Sequence, residues 1–262
     1  MSDSLDLRPL TPLPQGALTP LPTGKVVDLP HLHSDLPASR VSLLRSVRGT
    51  AAWLLRRQWR IELHGTEHIP VSGPAILAAN HIGVLDGPLL VAMTPRTTFA
   101  LAKSELFTGK VGRLLEAAGQ IPIKQRELDT RALRRALKVL GDGHLLGIFP
   151  EGSRDVGDMA AIRGGAAYLA MASGAPIIPV ALLGTREPGQ TISDVPQRGG
   201  RIHIVYGEPI VIDRTLWPRR RHEVADRTEE VRRRLAAHVA WAEGHTGMAL
   251  PGVPAPKATA AA

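Results

Sequence analysis

Residues 75–86, AILAANHIGVLD, combine an apolar run with a polar loop, and this combination indicates how the chain folds. The five residues Ala75–Ala79 are apolar without interruption, which is typical of a short buried strand. Gly87-Pro88 follows the stretch, and proline is favoured in the first turn of a helix. We therefore predict a strand that ends just before His81 and a helix that begins close to Asp86.

A strand–loop–helix arrangement of this kind places a base beside a carboxylate. Residues five apart on one continuous helix point away from each other, whereas a loop lets Asp86 turn back towards His81. The carboxylate then accepts a proton from one imidazole nitrogen and leaves the other free to act as a base, as in hydrolytic triads. Two structural roles fit the same residues, because aspartate before Gly-Pro is an ordinary helix cap and histidine often ends a strand.

Composition limits the classes of protein that this chain can belong to. Its 262 residues are enough for one α/β domain with tails, and a hydrophobic content of 44% supports a sizeable core. The absence of cysteine excludes disulfides, a thiolate nucleophile and thiolate metal sites. The formal net charge of +8 suits an anionic partner such as nucleic acid, a phosphorylated substrate or an anionic membrane. With no run of 18 apolar residues and no secretory signal pattern, we expect neither a spanning helix nor export.

Short apolar segments alternate with segments of helical spacing along most of the chain. This alternation predicts a single α/β domain whose central sheet is mostly parallel and flanked by helices, preceded by an amphipathic helix. We expect a disordered or surface-draped segment at 1–39, a basic amphipathic helix at 40–60, the α/β domain at 61–243, and a disordered tail at 244–262. The predicted strands cover 61–63, 75–79, 97–102, 121–123, 144–149, 177–183, 202–206 and 210–212; the predicted helices cover 110–118, 130–140, 165–173 and 223–242.

The amphipathic helix has two interpretations. Leucines, including Leu44, Leu54 and Leu55, share one face of its helical projection, arginines lie mostly opposite, and Trp53 and Trp59 lie near the flanks. A basic helix with tryptophans of this kind can lie in a lipid interface. The same pattern also fits a helix that packs on its own domain and solvates its arginines.

Three further segments carry candidate binding residues. Residues 149–154, FPEGSR, follow a predicted buried strand, where α/β folds place functional loops. Within this segment Gly152 allows a ligand to approach the backbone, and Arg154 offers a guanidinium fork suited to phosphate. Residues 119–126 bring Lys124 and Arg126 to the end of a short strand, and residues 175–180 form an apolar strand with two prolines. Each segment alone also fits a plain turn, solvated charges or a strand edge.

In this order and spacing the segments resemble the 1-acyl-glycerol-3-phosphate acyltransferase family of glycerolipid acyltransferases. That family has an Asn-His-x4-Asp block, a Gly-x-Ile-Pro-Val-x-Arg-like block, a Phe-Pro-Glu-Gly-Thr/Ser-Arg block and a final apolar Val/Ile-Pro-Val strand. The resemblance runs from about Leu63 to Pro209 and includes Arg163 in the segment RGGAA. Two positions depart from the pattern: Gly83 stands where the family often has serine, and Gln125 stands at the usual arginine of the second block.

The resemblance identifies residues 61–243 as an acyltransferase domain, implies a reaction and assigns roles to the candidate residues. The implied reaction moves a fatty acyl group from an acyl-CoA or acyl carrier protein thioester to the free hydroxyl of a lysophospholipid, most simply 1-acyl-glycerol-3-phosphate. His81 would be the base and Asp86 its orienting carboxylate. The acceptor would be bound by Arg154, Arg163 and either Lys124 or Arg126, with Glu151 orienting Arg154 or a hydroxyl and Gly152 bordering the site. We expect no cofactor and no catalytic metal, because the thioester is already activated.

The expected setting is the cytoplasmic face of a membrane, to which the protein would bind peripherally through anionic lipid. Nucleic acid is not an expected partner, because the cations are scattered and aromatic residues are few. Other hypotheses are an acyltransferase for another lysolipid or a glycolipid, a non-catalytic lipid-surface protein, and metal-dependent phosphoester chemistry at His81, Asp86 and Glu151.

Overall fold

A seven-stranded sheet forms the centre of the computed structural model, which describes residues 41–117, 119–124 and 129–256. The strands are β1 (Arg60–His64), β2 (Ala75–Ala79), β3 (Thr98–Lys103), β4 (Ile121–Ile123), β5 (Leu145–Ile148), β6 (Ile177–Leu183) and β7 (Arg201–Tyr206). The helices are α1 (Val41–Gln58), α2 (Asp86–Met93), α3 (Gly109–Ala117), α4 (Thr130–Gly141), α5 (Gly165–Ser173) and α6 (Arg221–Thr246).

The strand order is β1-β7-β6-β2-β5-β3-β4, and every neighbouring pair is parallel except β6 with β7. The carboxyl ends of the neighbouring central strands β6, β2 and β5 therefore lie side by side at the same end of the sheet. Ligands of open parallel sheets bind beyond these strand ends, where loops from neighbouring strands converge. The prediction of an α/β domain with a mostly parallel sheet is confirmed.

Helices cover both faces of the sheet. One face packs against α1 and α2, and the other against α4, α5 and α6. Strand β2 lies at the centre, and all five of its residues are fully buried. Burial on both faces explains why the segment AILAA is continuously apolar rather than alternating.

Helix α1 is partly integrated into the domain. Leu55 packs against the buried residues beneath the helix, whereas Trp53 and Leu54 are 57% and 49% exposed. The guanidinium of Arg48 donates to the carbonyls of Ala92 and Pro95, at and beyond the end of α2. Leu54 and Leu55 share one face in the helical projection but differ in burial, because the helix meets the domain along a narrower stripe.

Two other predictions need correction. Residues 210–212 do not form a regular strand; Ile210 makes only an isolated bridge to Ile177. The disordered tail predicted from residue 244 begins too early, because α6 continues to Thr246 and the chain beyond it is anchored. The Leu250 amide donates to the Glu243 carboxylate, and the Ala255 amide donates to the Gln190 carbonyl. Residues 1–39 and 257–262 lie outside the described residues.

Candidate active site

His81 and Asp86 meet at the carboxyl end of β2. The strand ends at Ala79, and Asp86 is the first residue of α2. His81 Nδ1 lies 2.8 Å from Asp86 Oδ2; the Asp86 side chain is fully buried, whereas 16% of the His81 side chain is exposed. The hydrogen bonds of the described residues leave His81 Nε2 without a partner. A carboxylate thus orients the imidazole from behind, and the nitrogen on the other side is available to a reactant.

Asn80 fixes the end of the strand that carries His81. Its side-chain Nδ2 donates to the Leu182 carbonyl at 3.1 Å, and its Oδ1 accepts from the Leu182 amide at 2.7 Å. Both polar groups of the buried amide are satisfied, which stabilises this geometry. Asn80 therefore ties the ends of β2 and β6 together directly beside the base.

The Asp86 carboxylate accepts further hydrogen bonds from its own loop and from the loop after β6. Its Oδ2 also accepts from the amides of Ile82 and Gly83 at 2.7 and 2.8 Å. Its Oδ1 accepts from the hydroxyl of Thr185, which lies two residues beyond β6. These donors fix the carboxylate in the orientation that faces His81 Nδ1.

The contact with Thr185 also explains the glycine at position 83. A Cβ at this position would lie 2.4 Å from the Thr185 carbonyl oxygen, closer than any side chain can approach without a backbone shift. A hydroxyl does reach Asp86, but it comes from Thr185 rather than from a serine in the loop. The departure from the family pattern at Gly83 thus coincides with a close approach of the β6 loop.

Glu151 supports the backbone of His81. One of its carboxylate oxygens accepts from the His81 amide at 2.7 Å, and the other accepts from the Met159 amide at 3.3 Å. Burial raises the pKa of Glu151 to about 7, against the effect of these two amides. We predicted that Glu151 orients Arg154 or a hydroxyl. Its carboxylate instead contacts the backbone of the loop that carries His81.

Phe149, the first residue after β5, forms one wall of the site. Its ring stacks on the His81 imidazole with centroids 4.2 Å apart and an angle of 24° between planes. The Phe149 ring covers one face of the imidazole and restricts its rotation. Sequence reasoning placed Phe149 in a motif but gave it no role.

Gly152 and Arg163 lie against each other near this wall. Gly152 has φ +76°, and a Cβ there would lie 2.6 Å from Arg163 Nε. The Arg163 amide donates to the Pro150 carbonyl, and its side chain is exposed. A larger residue at position 152 would displace the guanidinium, so the glycine keeps Arg163 at the site.

The other predicted cations are less central. Arg154 is half-buried, and its Nη1 donates to the Ile192 carbonyl at 3.0 Å, so one arm is held by a neighbouring loop. Lys124 is exposed and follows β4, three strands from β2, which corresponds to about 14 Å at the usual strand spacing. Arg126 lies outside the described residues. The structure therefore brings together His81, Asp86, Glu151, Gly152 and Arg163, and it leaves Lys124 at the margin.

Sequence reasoning also missed Arg186, which fixes the loop that carries His81. It is 2% exposed, and its guanidinium donates to four backbone carbonyls. Nε donates to Ile82, Nη1 to Gln190, and Nη2 to both Asp155 and Gly252. It therefore holds the His81 loop against two other loops and the C-terminal segment.

Residues 60–183 match the sequence profile of the family described as Acyltransferase. This range contains the Asn80-to-Asp86 loop and the segment FPEGSR. Residues 60–183 are an acyltransferase-family domain. The resemblance inferred from the motifs is confirmed.

Named relatives agree with this assignment. The chain is 26% identical over 152 residues to the 1-acyl-sn-glycerol-3-phosphate acyltransferase of Bacillus subtilis. The matched region covers 57% of this chain and 73% of that protein. It is 34% identical over 131 residues to the protein of the same name from Borreliella burgdorferi, covering 48% of this chain and 52% of that protein. It is also 32% identical over 133 residues to human 1-acyl-sn-glycerol-3-phosphate acyltransferase beta, covering 46% of this chain and 45% of that protein. The chain thus spans about half the length of the last two relatives. Together with the family match, these relatives indicate an enzyme that transfers acyl groups.

The fold of the acyltransferase-family domain also has a solved counterpart. The crystal structure of the 1-acyl-sn-glycerophosphate acyltransferase of Thermotoga maritima superposes with a TM-score of 0.52 and 23% sequence identity. The match covers 76% of this chain and 79% of that chain, and it shows a common fold. Within the described residues, no helix has the length and apolar character needed to cross a membrane.

Proposed function

We propose that the protein transfers a fatty acyl group from a thioester, either acyl-CoA or acyl carrier protein, to the free hydroxyl of 1-acyl-glycerol-3-phosphate. The observation that carries the proposal is the His81–Asp86 pair, whose free Nε2 faces away from a buried, fully hydrogen-bonded carboxylate. The named relatives support this acceptor, since their names specify it.

In the proposed mechanism His81 Nε2 takes the hydroxyl proton as the acceptor oxygen attacks the thioester carbonyl. The carbon–sulfur bond then breaks, and the leaving thiolate recovers the proton from His81. Asp86 orients the ring and stabilises the imidazolium that forms between these two steps. The chain contains no cysteine, so a cysteine-bound acyl intermediate plays no part in this route.

Basic residues around the site supply the proposed acceptor binding. Arg163 lies over Gly152, and Arg154 has one arm engaged by Ile192 and a second still able to pair with a phosphate. Lys124 or Arg126 would contact the head group from the β4 side. Glu151 contributes indirectly, since it positions the backbone of the base rather than the substrate.

We further propose that the enzyme works at an anionic membrane surface and binds it peripherally from the cytoplasmic side. The acceptor is a bilayer lipid, and thioester donors are cytoplasmic. The net charge of +8 and the exposed side chains of Trp53 and Leu54 on α1 support such attachment. The reaction as proposed requires no metal and no further cofactor.

An acyl-transfer assay on purified protein tests the proposal. Labelled acyl-CoA and acyl carrier protein are supplied in turn, against a panel of lysolipids that differ in head group. We expect acylation of 1-acyl-glycerol-3-phosphate, complete loss in His81→Ala, and full activity in His222→Ala, which removes an exposed histidine on α6. Near-normal turnover by His81→Ala with an unchanged circular dichroism spectrum would contradict the mechanism, and preference for another lysolipid would replace the acceptor.

A further inference from the structure

A group of metal-ligating side chains lies on strands β1 and β7, apart from the His81–Asp86 pair. Glu62 and His64 alternate along β1 with Ile61 and Leu63, which pack on the other face, and so point to the same face of the sheet. His203 is the direct neighbour of Glu62 in the parallel pairing of β1 with β7. Strand register therefore places one carboxylate and two imidazoles together on the face covered by α6.

The separations of the ligand atoms fit a small divalent cation. His64 Nε2 lies 3.1 Å from His203 Nδ1, and His203 Nδ1 lies 3.7 Å from Glu62 Oε2. All three ligand atoms lie within 4.8 Å of one another. A tetrahedral zinc ion with bonds of about 2.0–2.1 Å separates its ligand atoms by roughly 3.3 Å, so modest side-chain rotation completes the geometry.

The surroundings hold these groups in a geometry that suits metal binding. His203 is almost fully buried, so packing fixes its imidazole beside His64 and Glu62. Glu62 is exposed, which gives its carboxylate the freedom to rotate towards the histidines. Two imidazoles with one carboxylate form a donor set that zinc uses in proteins.

His245 provides a candidate for the fourth position. It lies in the last turn of α6, and its ring meets the His64 ring edge-on with centroids 5.5 Å apart. Trp241 stacks on the His245 ring with centroids 4.7 Å apart and holds that ring close to the group. A water molecule can take this position if the His245 ring does not rotate inwards.

We propose that Glu62, His64 and His203 bind a divalent cation of the zinc class, with His245 or water as the fourth ligand. The ion would join edge strand β1 to β7 and, through His245, to the end of α6. The role of the ion would be structural. An ion that binds only the folded chain raises the free energy of unfolding, and the increase grows with the logarithm of the ratio of ion concentration to Kd. The proposal is independent of the acyl-transfer reaction, and its test measures binding rather than activity.

The test uses the full chain after chelator treatment, titrated with Zn²⁺ in competition with a chromophoric chelator. We expect one tightly bound ion per chain and a rise in Tm on addition of Zn²⁺. Titration with Co²⁺ should give the visible absorption of a tetrahedral nitrogen–oxygen site. His64→Gln and Glu62→Gln should each weaken Zn²⁺ binding by more than about 10-fold. Removing a residue that only hydrogen-bonds to a metal ligand already weakens metal binding by about 10- to 100-fold, and these variants remove a ligand itself.

Matched control variants locate the ion. Glu67→Gln and His222→Gln remove an exposed carboxylate and an exposed imidazole outside the group, and His31→Gln with His33→Gln removes the paired histidines near the N-terminus. All three controls should bind as the unaltered protein does. The proposal is overturned if Zn²⁺ fails to bind at micromolar concentration, if His64→Gln and Glu62→Gln bind normally, or if a control loses the ion.

Discussion

At the scale of single residues, the hydroxyl of Thr185 completes the hydrogen bonding of Asp86. We expect Thr185→Val to reduce kcat by roughly 10- to 100-fold, because a hydrogen bond to a charged group contributes about 1.5–3 kcal/mol. Thr185→Ser keeps the hydroxyl and should retain most of the rate. Steady-state kinetics should show KM for both substrates nearly unchanged, since Thr185 acts on the base through Asp86. Full kcat in Thr185→Val would exclude this positioning role.

The raised pKa of Glu151 predicts a dependence of stability on pH. The unfolded chain releases the Glu151 proton near its ordinary pKa of 4.5, whereas the folded protein keeps it until about pH 7. The folded state binds more protons in this window, so the contribution of Glu151 to the free energy of unfolding is largest below pH 4.5 and is lost as pH rises through 7. Glu151→Gln removes this titration.

Urea unfolding of both proteins between pH 4.5 and 8 measures the effect. The free energy of unfolding of the unaltered protein, minus that of Glu151→Gln, should fall as pH rises. An exposed control, Glu67→Gln, should give a difference that does not change in this way. Parallel pH profiles for the unaltered protein and Glu151→Gln would show that Glu151 titrates alike in both states.

Sequence reasoning found the residues of the site that are close in the chain. His81 and Asp86 lie within one loop, so local spacing was enough to pair them. Thr185 reaches Asp86 only because β2 pairs with β6, and that pairing partner cannot be read from local periodicity. Glu151 was placed at the site but given the wrong contact, because the backbone amide that it binds leaves no signal in a sequence motif.

At the scale of elements, α1 presents exposed apolar side chains on one face and packs against the core with another. We expect Trp53→Ser with Leu54→Ser to release the protein from anionic vesicles while leaving its Tm unchanged, because both side chains are exposed. Leu55→Ser should lower the Tm instead, because Leu55 packs against the core. Vesicle sedimentation and thermal unfolding separate these outcomes, and added salt should weaken the binding that depends on arginine.

If the double variant sediments with vesicles as completely as the unaltered protein does, α1 has no role in attachment. A large fall in its Tm would assign the whole helix to the core.

Elements with a continuous apolar run were predicted well, and elements fixed by distant contacts were not. Strand β2 was placed at its observed residues because burial on both faces makes every position apolar. Residues 210–212 have strand-like composition, yet only Ile210 finds a partner. The segment after Gly244 has the composition of a tail, but hydrogen bonds to Glu243 and Gln190 anchor it.

At the scale of the whole molecule, Arg186 joins segments that lie far apart in the chain. Lysine keeps the charge at this position but has a single nitrogen, which cannot reach the carbonyls of Ile82, Asp155 and Gly252 together. We expect Arg186→Lys to lower the Tm by roughly 5–10 °C, as loss of two or more charge-assisted hydrogen bonds implies for a chain of this size. It should also reduce kcat, since Ile82 adjoins the base.

Differential scanning calorimetry and the acyl-transfer assay measure the two effects. Arg198→Lys, at an exposed position, provides the control and should leave both the Tm and kcat unchanged. A normal Tm in Arg186→Lys would show that the loops hold their places without the guanidinium.

The position of β2 between β5 and β6 has a consequence for how the chain is made. Ile76 pairs with Leu146 on one side and Ile177 on the other, so β2 leaves the ribosome long before either partner strand exists. An apolar strand that waits unpaired is a point of misassembly for a nascent chain, and such long-range pairings form slowly. A chain interrupted before residue 177 would contain both His81 and Asp86 and still lack the strand that supports them. Aborted or clipped products of this protein should therefore be inactive and prone to aggregate, even when the whole motif region has been synthesised.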